Sequence, residues 1–176
     1  WGVFNEKANR FANLLIQRGI RKGDKVAILM MNGLEWLPIY FGVLKTGALA
    51  VPLNFRYSAD EIEYCVNLAE ADVLVFSNPF IGRVEEIADR ISKGRLLIYV
   101  GEGCPGFADD YNSLSANCSS QSPTMILSDD DDAAIYFSSG TTGFPKAILH
   151  KHRSLMHSCK VEQNHHGQTR EDVFLC

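Results

Sequence analysis

The sequence has no apolar run long enough to cross a membrane. Its most lipid-like stretch, Ile28 to Leu44, is broken by Asn32, Glu35 and Pro38, short of the ~18 uninterrupted apolar residues a spanning helix needs. It has no excess of positive charge: 17 Lys and Arg against 21 Asp and Glu give a net charge of -4, which leaves no global field to gather nucleic acid or anionic lipid. It has no Cys-x-x-Cys pair. Its cysteines, Cys65, Cys104, Cys118, Cys159 and Cys176, are an odd set, which argues against a disulfide framework and a zinc knuckle and makes a reducing cytoplasm the expected compartment. Targeting segments, internal repeats and low-complexity tracts are also missing, apart from one short acidic run. What is present is 46% apolar residues in a chain of 176, enough for the core of one domain or of a piece of a larger one. The chain opens on Trp1 rather than Met and stops inside the apolar run Val173 to Cys176, so both ends read as cut points.

Apolar periodicity alternates between the two regular structures. Phe4, Ala8, Phe11, Ala12 and Leu15 recur at helical spacing and are followed by Gly19, a helix-stop glycine. Val26 to Met30 is a continuous apolar run, the mark of a strand covered on both faces. The segment after Asn32 is apolar nearly all round up to Gly47 and predicts a buried helix with Pro38 in its first turns. Ala48 to Leu53 follows as a strand. Ser58 and Glu61 then form a capping box ahead of a helix bearing Ile62, Cys65, Val66 and Ala69. Val73 to Phe76, a helix around Val84 to Ile91, and Leu96 to Val100 repeat the unit, while 101–132 reads as a long surface connection. The expected fold is therefore α/β, a mainly parallel sheet with helices on both faces.

The most informative stretch runs from Ile135 to His150. An apolar strand leads directly into Ser138-Ser139-Gly140-Thr141-Thr142-Gly143-Phe144-Pro145-Lys146, and a second apolar segment follows. Glycines let successive N–H groups converge on an anion, hydroxyls add donors, and Lys146 supplies a positive charge, which suits a polyphosphate. A Walker A loop would need Gly before the lysine and Ser or Thr after it; here Pro145 and Ala147 flank it. The plain alternative is a hairpin turn rich in small residues, although a plain turn needs only one glycine.

These nine residues resemble the phosphate-loop signature of the adenylate-forming superfamily, which includes acyl-CoA synthetases, adenylation domains of peptide synthetases, and luciferases. The likeness extends to Asn5-Glu6-Lys7-Ala8-Asn9-Arg10 with Ala12 to Leu15, to Gly47-Ala48 with Val51-Pro52-Leu53-Asn54, and to His152-Arg153 with Leu155. The chain would then be an incomplete large N-terminal (AMP-binding) domain spanning 1–176, with the C-terminal domain absent. The resemblance implies a two-step ligase, in which a carboxylic acid, most simply a fatty acid, is activated with ATP and passed as an acyl group to CoA. Ser138, Ser139, Gly140, Thr141, Thr142, Gly143 and Lys146 would hold the β- and γ-phosphates, with Mg2+ sharing their charge, and Lys146 would act in catalysis. His152 would line the nucleotide site. The family usually has glycine where this chain has Ala147, a strained choice at positive φ and a neutral one at negative φ.

Other motifs carry less. Gly101-Glu102-Gly103-Cys104-Pro105-Gly106 spells a dinucleotide fingerprint, but Pro105 interrupts it and no helical period follows. Asp129 to Asp132 lacks the Gly and Glu of a calcium loop and reads as a solvated lead-in to the next strand, and His150, His152, His157, His165 and His166 lack metal-ligand spacing, so no metal site is expected. The family's Tyr-Gly-x-Thr-Glu motif and adenylation lysine are not found, so the chain reads as an N-terminal portion that is inactive alone. The competing readings are an adenylation domain serving a carrier protein and a non-catalytic nucleotide-binding module. Exposed apolar surface at a broken sheet edge would make the chain prone to self-association, so a clean monomer with a cooperative melt would favour the non-catalytic module.

Overall fold

In the computed structural model, described over residues 1–91, 94–138 and 145–173, the apolar runs become strands of one sheet. They are β1 (Lys25–Leu29), β2 (Leu49–Pro52), β3 (Val73–Ser77), β4 (Leu96–Val100), β5 (Asp109–Asp110), β6 (Asp132–Ser138) and β7 (Lys146–Lys151). Their order is β5-β4-β3-β1-β2-β6-β7, parallel throughout except for the antiparallel pair β6 and β7. Alternate residues of the central strand serve opposite cores. Val26 and Ile28 pack on one face, Ala27 and Leu29 on the other, all fully buried, which is why β1 reads as an unbroken apolar run.

The helices are α1 (Gly2–Gln17), α2 (Trp36–Lys45), α3 (Ala59–Leu68), α4 (Ile81–Ile91), α5 (Tyr111–Ala116) and α6 (His152–His166). The connection through α2 carries the chain from β1 outward to β2, whereas those through α3 and α4 carry it back past β1 to β3 and β4. Right-handed crossovers in opposite directions must use opposite faces. Accordingly Phe11, Leu15, Ile39, Val43 and Tyr111 cover one face, and Ile62, Val66, Val84 and Ile87 the other. The capping box at α3 forms as read: the Ser58 N–H donates to Glu61 Oε2 at 2.8 Å and the Glu61 N–H to Ser58 Oγ at 3.3 Å.

Two expectations need correction. The second helix is not buried all round, since Leu37 and Phe41 keep 50% and 43% of their surface. Pro38 sits in its first turn, where its missing N–H breaks no intrahelical bond. The stretch 101–132 is more than surface: it holds β5 and α5, and Tyr111 and Cys118 enter the core. Beyond α5 the chain becomes a strap across to β6, gripped by α1. Asn9 Nδ2 donates to Ser120 O at 2.7 Å, Arg10 Nη1 to Ala116 O and Cys118 O at 3.1 and 2.5 Å, and Asn13 Nδ2 to Ser119 O and Gln121 O at 2.8 and 2.9 Å. Asn9, Arg10 and Asn13 of the first helical motif are thus strap anchors, while Lys7 reaches Glu35 instead.

Candidate active site

The described ends of the candidate loop, Ser138 and Lys146, lie at the carboxyl rim of the parallel strands, where open α/β sheets bind ligands. β6 and β7 form a hairpin in which Ser138 is registered directly against Lys146, so the two ends of the loop are adjacent. Lys146 is solvent-exposed and Pro145 is buried. Ser139, Gly140, Thr141, Thr142 and Gly143 lie outside the described residues. The hairpin alternative is correct about the strands, but the 139–145 connection is longer than the ~2–5 residues of ordinary hairpin loops. Ala147 is extended in β7 opposite Phe137, and among the described residues Glu70 is the only non-glycine at positive φ. An alanine methyl there is unstrained.

His152 is not brought to this rim. It begins α6 at the far end of β7, roughly 17–20 Å from Lys146 at the usual ~3.4 Å rise per strand residue. Its Nε2 is buried without a hydrogen-bond partner. Its amide donates to Asp131 O at 3.1 Å, and the Arg153 amide donates to Asp129 O at 2.9 Å. The acidic run therefore clasps the base of the hairpin. Lys22 Nζ meets Asp131 Oδ2 at 2.5 Å, the Ser128 amide donates to the same oxygen at 2.7 Å, and Arg153 meets Asp130 Oδ1 at 2.6 Å. The Lys22 hydrogen bond, then that of the Ser128 amide, holds the Asp131 carboxyl below its ordinary range. No group of three His, Cys, Asp or Glu suited to a metal ion occurs among the described residues.

The fingerprint-like glycines form a turn. Tyr99 Oη donates to Glu102 O at 2.8 Å, and a Cβ on Gly101, at φ +151°, would sit 2.7 Å from that hydroxyl. The next element is β5 rather than a helix N-terminus, so nothing there is built to face a pyrophosphate. Two of the open cavities among the described residues bear on the hairpin and its rim. One of about 550 Å³ runs along β7 from the hairpin base, among Lys22, Gly47, Asp131, Ile135 and Leu149, up to Ala147 beside Lys146. The other, about 490 Å³, lies on the loop's own rim after β1, lined by Asn32, Gly33, Leu34, Trp36 and Leu37, which the sequence reading did not single out.

Sequence reading also missed a pair two residues before Ser138. The hydroxyls of Tyr136 on β6 and Tyr40 on α2 are 2.7 Å apart. Burial foremost, and then the Tyr136 hydrogen bond, raises the Tyr40 phenol well above its ordinary range, so it stays protonated. No local sequence signal joins residues 96 positions apart.

Comparison with known proteins agrees with this fold. The family of AMP-binding enzymes matches residues 1–176. Among similar curated proteins, the long-chain-fatty-acid–CoA ligase FadD13 of Mycobacterium tuberculosis is 33% identical over 156 residues, covering 88% of this chain and 30% of that protein. Crotonobetaine/carnitine–CoA ligase of Salmonella heidelberg is 38% identical over 164 residues, covering 88% and 31%. The crystal structure of the anthranilate CoA ligase AuaEII in complex with anthranoyl-AMP superposes with a TM-score of 0.85 at 28% identity, covering 89% of this chain and 30% of that one. The chain thus spans about 30% of the length of the relatives it matches.

Proposed function

The chain belongs to the AMP-binding enzyme family, and from that premise we propose that its complete protein is a cytoplasmic, ATP-dependent acid–thiol ligase. In the first step a carboxylate oxygen attacks the α-phosphorus of ATP and pyrophosphate leaves, giving an acyl adenylate. In the second a thiol, that of CoA, attacks the acyl carbonyl, loses its proton and expels AMP. Fatty acids are the proposed substrate class, in line with the names of similar proteins. Because these relatives extend well beyond the region matched, the 176 residues alone are expected to contact nucleotide without completing the reaction.

The observation that carries this reading is the register of Ser138 against Lys146. It sets a hydroxyl and an ammonium at the two ends of a loop rich in glycine and hydroxyls. At an effective dielectric near 20, an ammonium ~4 Å from a phosphate contributes about 4 kcal/mol before desolvation, enough to govern the rate of pyrophosphate departure. Mg2+ would travel with the nucleotide as its counter-ion, since no described group of residues could hold it alone. The test is ATP–pyrophosphate exchange by the complete protein with a panel of carboxylic acids. Lys146→Ala should lower exchange by about 100-fold or more. Exchange close to wild type would remove Lys146 and the loop from the mechanism.

A further inference from the structure

The hairpin that carries the candidate loop is attached to the sheet over a short distance, and the reason lies in one residue. The amides of Leu49 and Leu53 donate to Asp24 O and Ile28 O, both on the β1 side. Because N–H groups along a strand alternate between neighbours, Ala50 and Pro52 face β6. Ala50 is registered with Ala134, and the same register places Pro52 opposite Tyr136. Proline has no N–H to give, so the ladder loses its donor two residues short of Ser138.

At that level the tyrosine pair takes over. Tyr136 and Tyr40 join β6 to α2 through their hydroxyls at 2.7 Å. Both rings are held by neighbours: Trp36 stacks on Tyr40 with centroids 5.4 Å apart and planes 11° apart, and His150 packs on Tyr136 at 4.9 Å. Tyr40 is 8% exposed, and its helix is locked to α1. A strut with fixed ends transmits position.

We propose that Tyr40 and Tyr136 are positioning residues that substitute for the ladder hydrogen bond missing at Pro52 and fix the height of Ser138 and Lys146 over the bound polyphosphate. This rests on the ligase reading above. The test is ATP–pyrophosphate exchange by the complete protein carrying Tyr40→Phe, Tyr136→Phe or both, with Lys146→Ala alongside and melting temperatures recorded. Each single change removes one hydroxyl and should raise the KM for ATP about three- to tenfold, the range of one lost neutral hydrogen bond, while the KM for the acid stays constant. The double variant should be no worse than either single, because both delete the same bond. A lowered melting temperature with an unchanged KM for ATP would reduce the pair to packing and overturn the proposal. So would strictly additive effects. Absence of exchange in the wild type, or full exchange by Lys146→Ala, would instead overturn the ligase reading, and the strut role with it.

Discussion

Cys65 shows how far placement changes a side chain. Its thiol is fully buried between α3 and the sheet, and burial foremost, then the nearby Glu61 charge, pushes its pKa up to about 12. Cys118 is also buried, and burial raises it against the opposing pull of Arg10 and Arg18. Cys159 lies exposed on α6. Thiolate is the nucleophile, so iodoacetamide at pH 8 should label Cys159 within minutes and Cys65 and Cys118 only in denaturant. Mass-spectrometric detection of Cys65 labelling at the Cys159 rate in the native chain would contradict this packing. Single residues were legible where their partners are local. Ser58 and Glu61 announce their cap three positions apart, whereas the cap that Asp110 and Ser113 make on α5 went unread inside a stretch taken for a surface connection. Tyr40 and Tyr136 gave no such signal, since neither residue type nor spacing encodes a contact made across the fold.

Elements were legible when their buried face is apolar. The faces of α1, α3 and α4 spell their period in Phe, Leu, Ile and Val, whereas the six-residue α5 buries only Tyr111 and Ser115, with Cys118 just beyond it, too few positions to spell a period. A strand as short as β5 has no pattern to read. How two helices meet is harder still, and Gly42 illustrates it. A Cβ there would lie 2.9 Å from the Ala8 carbonyl oxygen and from Phe11 Cδ1, so α1 and α2 approach through the missing side chain. Gly42→Ala sets a helix-propensity gain of up to ~1 kcal/mol against an overpacking penalty of about 1–3 kcal/mol, and the penalty involves backbone that cannot swing aside. The variant should be less stable by about 1–2 kcal/mol, read from its urea midpoint. An unchanged or raised midpoint would mean that the two helices slide apart easily.

At the scale of the whole molecule, the alternation of elements was legible but the order of strands was not, because β6 joins the sheet on the side opposite β5 by way of the strap. That junction should respond to acid. Lys22 first of all holds Asp131 below the ordinary carboxyl range, and the Ser113 hydroxyl and amide do the same for Asp110. A depressed carboxyl stabilises the fold above its unfolded value of ~3.9, and that support is lost as pH falls through the lower, folded value. Asp131→Asn should therefore melt earlier than wild type at pH 7, and the gap should narrow as the pH falls below the unfolded value of ~3.9. A gap that stays unchanged however far the pH is lowered would show that the Asp131 charge contributes nothing.

The strap also orders events in time. The donors on Asn9, Arg10 and Asn13 find carbonyls 106 to 111 positions later in the chain. At a synthesis rate of ~5–20 residues per second, α1 waits roughly 5–20 s after it is made for these acceptors to follow. Until then the side chains of Asn9, Arg10 and Asn13 lack these acceptors, and the start of β6 has no fixed origin. α1 is thus fastened to the strap only once the strap itself is made, and that fastening sets the course of the strand that runs to Ser138.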